Sequence, residues 1–88
     1  MKTCEHIDRV IRLIEPSGLT VVEVSAGWSK VEKVVHMGGG LLTAEKKTEI
    51  MRSEPCLRYW EVDATPHNAS EVGFTCDQCS VAMTFPGN

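Results

Sequence analysis

Ile7, Val10, Ile11 and Ile14 recur at i, i+3, i+4 and i+7, which puts four branched aliphatics on one side of an α-helix. Thr3 is its expected N-cap, and Glu5 suits the positive end of the helix dipole. Asp8 and Arg12 stand i,i+4 on the wet side, and Pro16-Ser17-Gly18 stops the helix. Leu19 to Val24 is β-branched and follows a glycine, so it reads as a strand, placed centrally in a sheet. Ser25-Ala26-Gly27 is a turn. Trp28 to Met37 carries two patterns. Ser29 with Glu32 makes a capping box, and Val31, Val34 and Val35 share a helical face. The β-branched density and the short length favour the second strand of a hairpin, with Val31, Val35 and Met37 on one face.

Gly38-Gly39-Gly40 is a joint. It lacks the downstream Lys and spacing of a phosphate-cradling loop. Leu41, Ala44, Thr48 and Met51 form a weak helical stripe behind Thr43 as N-cap, which predicts a helix near 43–53 ended by Pro55. Leu57-Arg58-Tyr59-Trp60-Glu61-Val62-Asp63 alternates as a half-buried strand does, with Tyr59 and Glu61 on one side and Trp60 and Val62 on the other. A loop follows at 65–70. Val72 to Thr75 and Val81 to Phe85 are strands flanking Cys76-Asp77-Gln78-Cys79, and Pro86-Gly87-Asn88 is a tail. The expected architecture is α+β: residues 1–88 as a single domain, an N-terminal amphipathic helix packed on a small antiparallel β-sheet, and a second helix near 43–53.

Size and charge narrow the function classes. A chain of 88 residues buries only about 60–65% of its unfolded surface, so a deep catalytic pocket is hard to build and a binding module is easy. Every Lys and Arg lies at or before Arg58, and Glu61, Asp63, Glu71 and Asp77 follow without a balancing cation. That asymmetry argues against direct nucleic-acid binding and for a larger protein with a basic surface as partner, while the short first helix, with acids beside Arg9 and Arg12, reads as a core helix and not a membrane-surface one. The plain alternative is a solvated acidic face. Met1 to His6 leads into a charged helix without an apolar leader, and no run reaches the length of a membrane span. These features predict a cytoplasmic protein with Cys4, Cys56, Cys76 and Cys79 reduced or metal-bound; four cysteines would also be compatible with two disulfides if the chain were secreted by another route.

The chemically pointed feature is Cys76-x-x-Cys79 at a hairpin tip. No cofactor is expected apart from the zinc that this spacing allows. A structural zinc site needs four ligands. Cys4 and His6 would complete Cys76 and Cys79 if the N-terminus lies beside the last hairpin, with Cys56, His36 and His67 as alternative ligands. Against zinc stands Ser80, which follows the second Cys where a zinc knuckle has glycine. A dithiol oxidoreductase would want its cysteines at a helix N-terminus, and Asp77 between them would raise rather than lower a thiol pKa. A Cys–His nucleophile would need Cys56 or Cys76 beside His36 or His67. Buried, idle thiols are the plain alternative.

The leading expectation is a small non-enzymatic binding or regulatory protein. It would dock an acidic C-terminal sheet face, formed by Tyr59, Trp60, Glu61, Asp63, Glu71 and Asp77, on a basic partner, as an inhibitor by charge mimicry where that partner binds nucleic acid. A zinc-stabilised interaction module is the second expectation, and a thiol-dependent enzyme the third.

Overall fold

The structure is a computed structural model that describes residues 4–62 and 70–87; Thr3, Asp63 and His67 lie outside the described residues. The first helix, α1, spans Glu5–Ile14, and Ile7, Val10 and Ile14 on it are buried, as the periodicity predicts. Its N-cap position falls on Cys4, which is extended and makes no side-chain cap. A 3-10 turn, Glu15–Ser17, ends the helix. Gly18 then takes φ 91°, a conformation cheap only for glycine, and its N–H donates to Glu15 O at 2.9 Å.

Two antiparallel strands follow, β1 (Thr20–Ala26) and β2 (Lys33–Gly38). The stretch 28–37 is thus a strand from Lys33 onward. Residues 27–32 are a connection in which Val31 N–H donates to Trp28 O at 2.8 Å. Val35 and Met37 belong to the core, as the hairpin reading expects, and Val34 is buried on the opposite face. The second helix, α2, spans Ala44–Ser53, and Thr43 Oγ1 accepts from Lys46 N at 3.1 Å as its N-cap. Its inward residue is Ile50, whereas Leu41 and Met51 are exposed. The expected stripe through Leu41, Ala44, Thr48 and Met51 is therefore displaced. A weakly apolar helix leaves its rotation to the packing partner, and here α2 turns Ile50 to the core and Lys47 over the Tyr59 ring at 4.0 Å.

The remaining strands are β3 (Leu57–Val62), β4 (Glu71–Cys76) and β5 (Val81–Pro86), so Pro86 closes a strand rather than starting a tail. The sheet order is β1-β2-β5-β4-β3. All neighbours are antiparallel except β2 and β5, which run parallel, so the sheet of this α+β fold is mixed. Local hairpins are written in turns, but the join between two hairpins has no such signal. That join also corrects the placing of β1. It is an edge strand, not a central one, and Val21, Val22 and Val24 are exposed. An irregularity in register between Val21 and Glu23 kinks it, which blunts an apolar edge against further pairing.

Both helices lie on one face. Ile7, Val10, Ile14 and Ile50 meet Val35, Met37, Leu57, Phe74, Cys76, Val81, Met83 and Phe85 in one cluster. Phe74 makes ring contacts with Tyr59 and Phe85, at centroid distances of 5.2 and 6.4 Å. The opposite face carries Trp60, which lies against Gly73, where a Cβ would collide with the Trp60 ring and Met83 O. Trp60 Nε1–H donates to Thr75 Oγ1 at 2.9 Å, and Trp28 packs edge-on against the ring at 6.3 Å. Tyr59 is thus sheltered by α2, and Trp60 by another tryptophan instead of a helix.

The rotation of α2 predicts a contrast. Ile50→Ala should cost about 2–5 kcal/mol, while Met51→Ala should stay within about 0.5 kcal/mol, by denaturant unfolding; equal costs would contradict this packing.

Candidate functional site

Antiparallel pairing of β4 with β5 puts Cys76 at the end of a strand and Cys79 in the four-residue turn that follows. Ser80 takes φ 58° directly after Cys79. Serine thus holds here the left-handed conformation that glycine adopts most readily. Ser80 O accepts from Glu32 N at 2.7 Å, which ties the turn to the β1–β2 connection. The helix α1 packs on β1 and β5, and this delivers Cys4 to the same turn. Cys4, Cys76 and Cys79 place their sulfurs within 4.8 Å of one another.

Cys4 and Cys79 are joined as a disulfide with Cα atoms 5.8 Å apart, while Cys56 and Cys76 are free thiols. The expectation of four reduced or metal-bound cysteines is corrected for this pair. The physical reason is the meeting of the chain's two end regions, which a linear reading could raise only as a condition.

A second group adjoins the first. Leu57 pairs with Cys76 across β3 and β4, so the preceding residue, Cys56, falls beside Cys76. His6, Cys56 and Cys76 bring their ligating atoms within 4.8 Å of one another. Cys76 belongs to both groups and is fully buried. All of the expected set, Cys4, His6, Cys76 and Cys79, therefore gathers around one sulfur, and all four cysteines of the chain do so too. Cys56 was only an alternative ligand in the sequence, because its proximity depends on the β3–β4 register. His36, another alternative, is elsewhere. Its Nε2 lies 2.8 Å from Ser25 Oγ and its Nδ1 3.0 Å from Thr84 Oγ1, on the face away from the helices.

Behind His6 stands Glu54, buried at 5% exposure. Its Oε1 is 2.7 Å from His6 Nδ1 and 2.7 Å from Arg9 Nη2, and Arg9 Nε reaches both carboxylate oxygens at 3.1 and 3.2 Å. Nδ1 therefore carries the proton and donates to the carboxylate. Arg9 Nη2, 3.0 Å from the same nitrogen, then serves Glu54. This tautomer leaves the Nε2 lone pair for a metal, the arrangement in which a carboxylate orients a histidine ligand. The Arg9 hydrogen bonds hold the Glu54 carboxyl below its usual range, against the opposing effect of burial, and His6 adds to them.

Cys56, His6 and Glu54 also have the order of nucleophile, base and orienting acid. The chemistry opposes that use. Cys56 is exposed, but the desolvation it does undergo, then the neighbouring Cys76 and Glu54, push its thiol up, so the thiolate needed for attack is disfavoured.

Among the described residues, those of the expected acidic face do not share one surface. Tyr59 and Glu61 lie on the helix-bearing face, joined by a 2.8 Å hydrogen bond from Tyr59 Oη–H. Burial, then Glu61, raises the Tyr59 pKa. Trp60 and Glu71 lie on the opposite face, since Trp60 pairs with Gly73 and Val62 with Glu71. Asp77 sits at the hairpin tip, where Oδ1 accepts from Arg58 Nη2 at 3.0 Å. Strand alternation alone separates Tyr59 from Trp60, and the register then separates Glu61 from Glu71. No helix among the described residues is long and apolar enough to cross a membrane.

The fold and cluster define a small α+β domain with a group of sulfur and imidazole side chains able to hold a metal. The chain matches no protein-family model, no curated protein and no solved structure.

The depressed Glu54 pKa gives a signed expectation. A carboxylate favoured in the folded state stabilises above the ordinary carboxylate range, and that stabilisation is lost as pH falls through the folded value. Glu54→Gln should cost about 1–3 kcal/mol near neutrality, with the gap to wild type closing below about pH 4. Urea unfolding across pH checks this, and a gap independent of pH would contradict it.

Proposed function

We propose that this chain is a small, non-enzymatic interaction module whose fold is closed by one zinc ion. Cys4, Cys76 and Cys79 supply three ligands, and His6 Nε2 supplies the fourth. The observation that carries this reading is the convergence of both ligand groups on the buried Cys76 sulfur. Tetrahedral zinc with Zn–S bonds near 2.3 Å separates its sulfurs by about 3.8 Å, which fits the three sulfurs of Cys4, Cys76 and Cys79, already within 4.8 Å of one another. The carboxylate behind His6 supports the histidine as a ligand. A chain with a modest core gains most from such a staple.

Native mass spectrometry of reduced protein, with and without chelator, tests the reading. The expected result is one zinc per chain in wild type and in Cys56→Ser, with loss of zinc from Cys76→Ser and His6→Ala. Zinc at a thousandfold its Kd should stabilise by about 4 kcal/mol, roughly 15–30 °C in Tm for a domain of this size. Reduced wild type that holds no zinc would falsify the reading.

A second observation supports docking on a protein with a basic surface. Trp28 is 53% exposed and pairs edge-on with Trp60 on the face away from the helices, the face that also bears Glu71. An exposed tryptophan makes an anchor, and an acidic group elsewhere on the same face adds electrostatic steering. With polylysine as probe, tryptophan emission should change in a salt-dependent way, and Glu71→Lys should weaken that response severalfold. The docking reading fails if emission is unmoved at low salt.

A further inference from the structure

We infer that the Cys4–Cys79 pair is an oxidant-sensitive clasp: a peroxide converts two zinc-bound thiolates into the disulfide, discharging the metal while the fold stays closed. This rests on the zinc reading of the same site. The structure joins Cys4 to Cys79 although Cys76 has its sulfur in the same group. The Cα separation of 5.8 Å lies within the range that a disulfide spans without backbone movement. One arrangement of α1 and the β4–β5 turn therefore suits both states. Zinc and disulfide each tie the start of α1 to the same turn, so exchanging one for the other leaves the packing of Ile7, Val10 and Ile14 intact.

Access sets the order of events. Cys4 is buried and Cys79 half-buried. The Cys79 thiolate attacks the peroxide O–O bond, becomes a sulfenic acid and releases hydroxide. The Cys4 thiolate then attacks that sulfur. The S–S bond forms and a second hydroxide leaves. The two thiolates lose two electrons, and the peroxide takes them up with two protons from solvent as two waters. Zinc keeps only Cys76 and His6, half of a structural set, and dissociates. Cys56 and Cys76 remain as thiols, the state in which the structure holds them. A thiol reductant reverses the step and restores the site for metal.

The test uses the full chain, reduced, loaded with zinc and freed of reductant. Hydrogen peroxide is titrated in against a colorimetric zinc chelator, with cysteine connectivity read by peptide mass spectrometry and the fold by far-ultraviolet circular dichroism. The expected result is zinc release in step with Cys4–Cys79 linkage, an unchanged dichroism spectrum, and recovery of zinc binding after reductant. Cys56→Ser, which keeps both partners, should behave as wild type. The inference is overturned if the zinc-loaded protein releases metal with Cys56–Cys76 or Cys76–Cys79 linked, unfolds on release, or keeps its zinc through oxidation. Failure to load zinc at the outset overturns the zinc reading itself, and this inference with it, so the two failures are told apart at the first step.

Discussion

The rest of this structure depends on the meeting of the chain's first helix with its last hairpin at Cys76. The core of so short a chain is thin, and α1 supplies three of its fully buried side chains. A link between Cys4 and Cys79 spans 75 residues of sequence. In the chain-entropy account, closing a loop of that length stabilises by about 4–5 kcal/mol, against roughly 5–15 kcal/mol for a whole small domain. A clasp at this point is therefore comparable to the net stability of the fold, whether sulfur or metal makes it.

The central strands explain why the clasp sits where it does. β5 is paired on both sides, and five of its six residues are buried. Its parallel pairing with β2 fuses two hairpins into one sheet and brings the β1–β2 connection to the Cys79 turn through the Ser80 carbonyl. The Arg9–Glu54–His6 contacts then tie α1 to the end of α2 beside Cys56. Buried polar groups of this kind are costly unless fully paired, and Glu54 is paired on both oxygens. The same contacts fix which nitrogen of His6 faces away, so a structural ion pair also orients a candidate ligand.

The two sheet faces divide the molecule's roles. One is sealed by α1 and α2. The other carries Val34 and a tryptophan pair among smaller and polar side chains, with Trp60 seated on Gly73 and His36 bridging Ser25 and Thr84. Acidic residues that follow one another in sequence are parted by this division, which is why net charge along the chain was a poor guide to a contiguous surface.

The sequence by itself determined the local elements. The 3.6-residue spacing from Ile7 to Ile14 set α1, Thr43 capped α2, alternation set β3, and the apolar runs around Cys76 and Cys79 set the last hairpin, because each is decided by neighbours within a few residues. It also raised Cys4, His6, Cys76 and Cys79 as one set, conditional on the two ends meeting. Tertiary structure decided that condition, along with the parallel join of β2 to β5, the edge position of β1, the rotation of α2 onto Ile50 and the arrival of Cys56 and Glu54 at the cluster. Those outcomes turn on register and on packing between segments distant in the chain, and no short-range pattern of side chains encodes either.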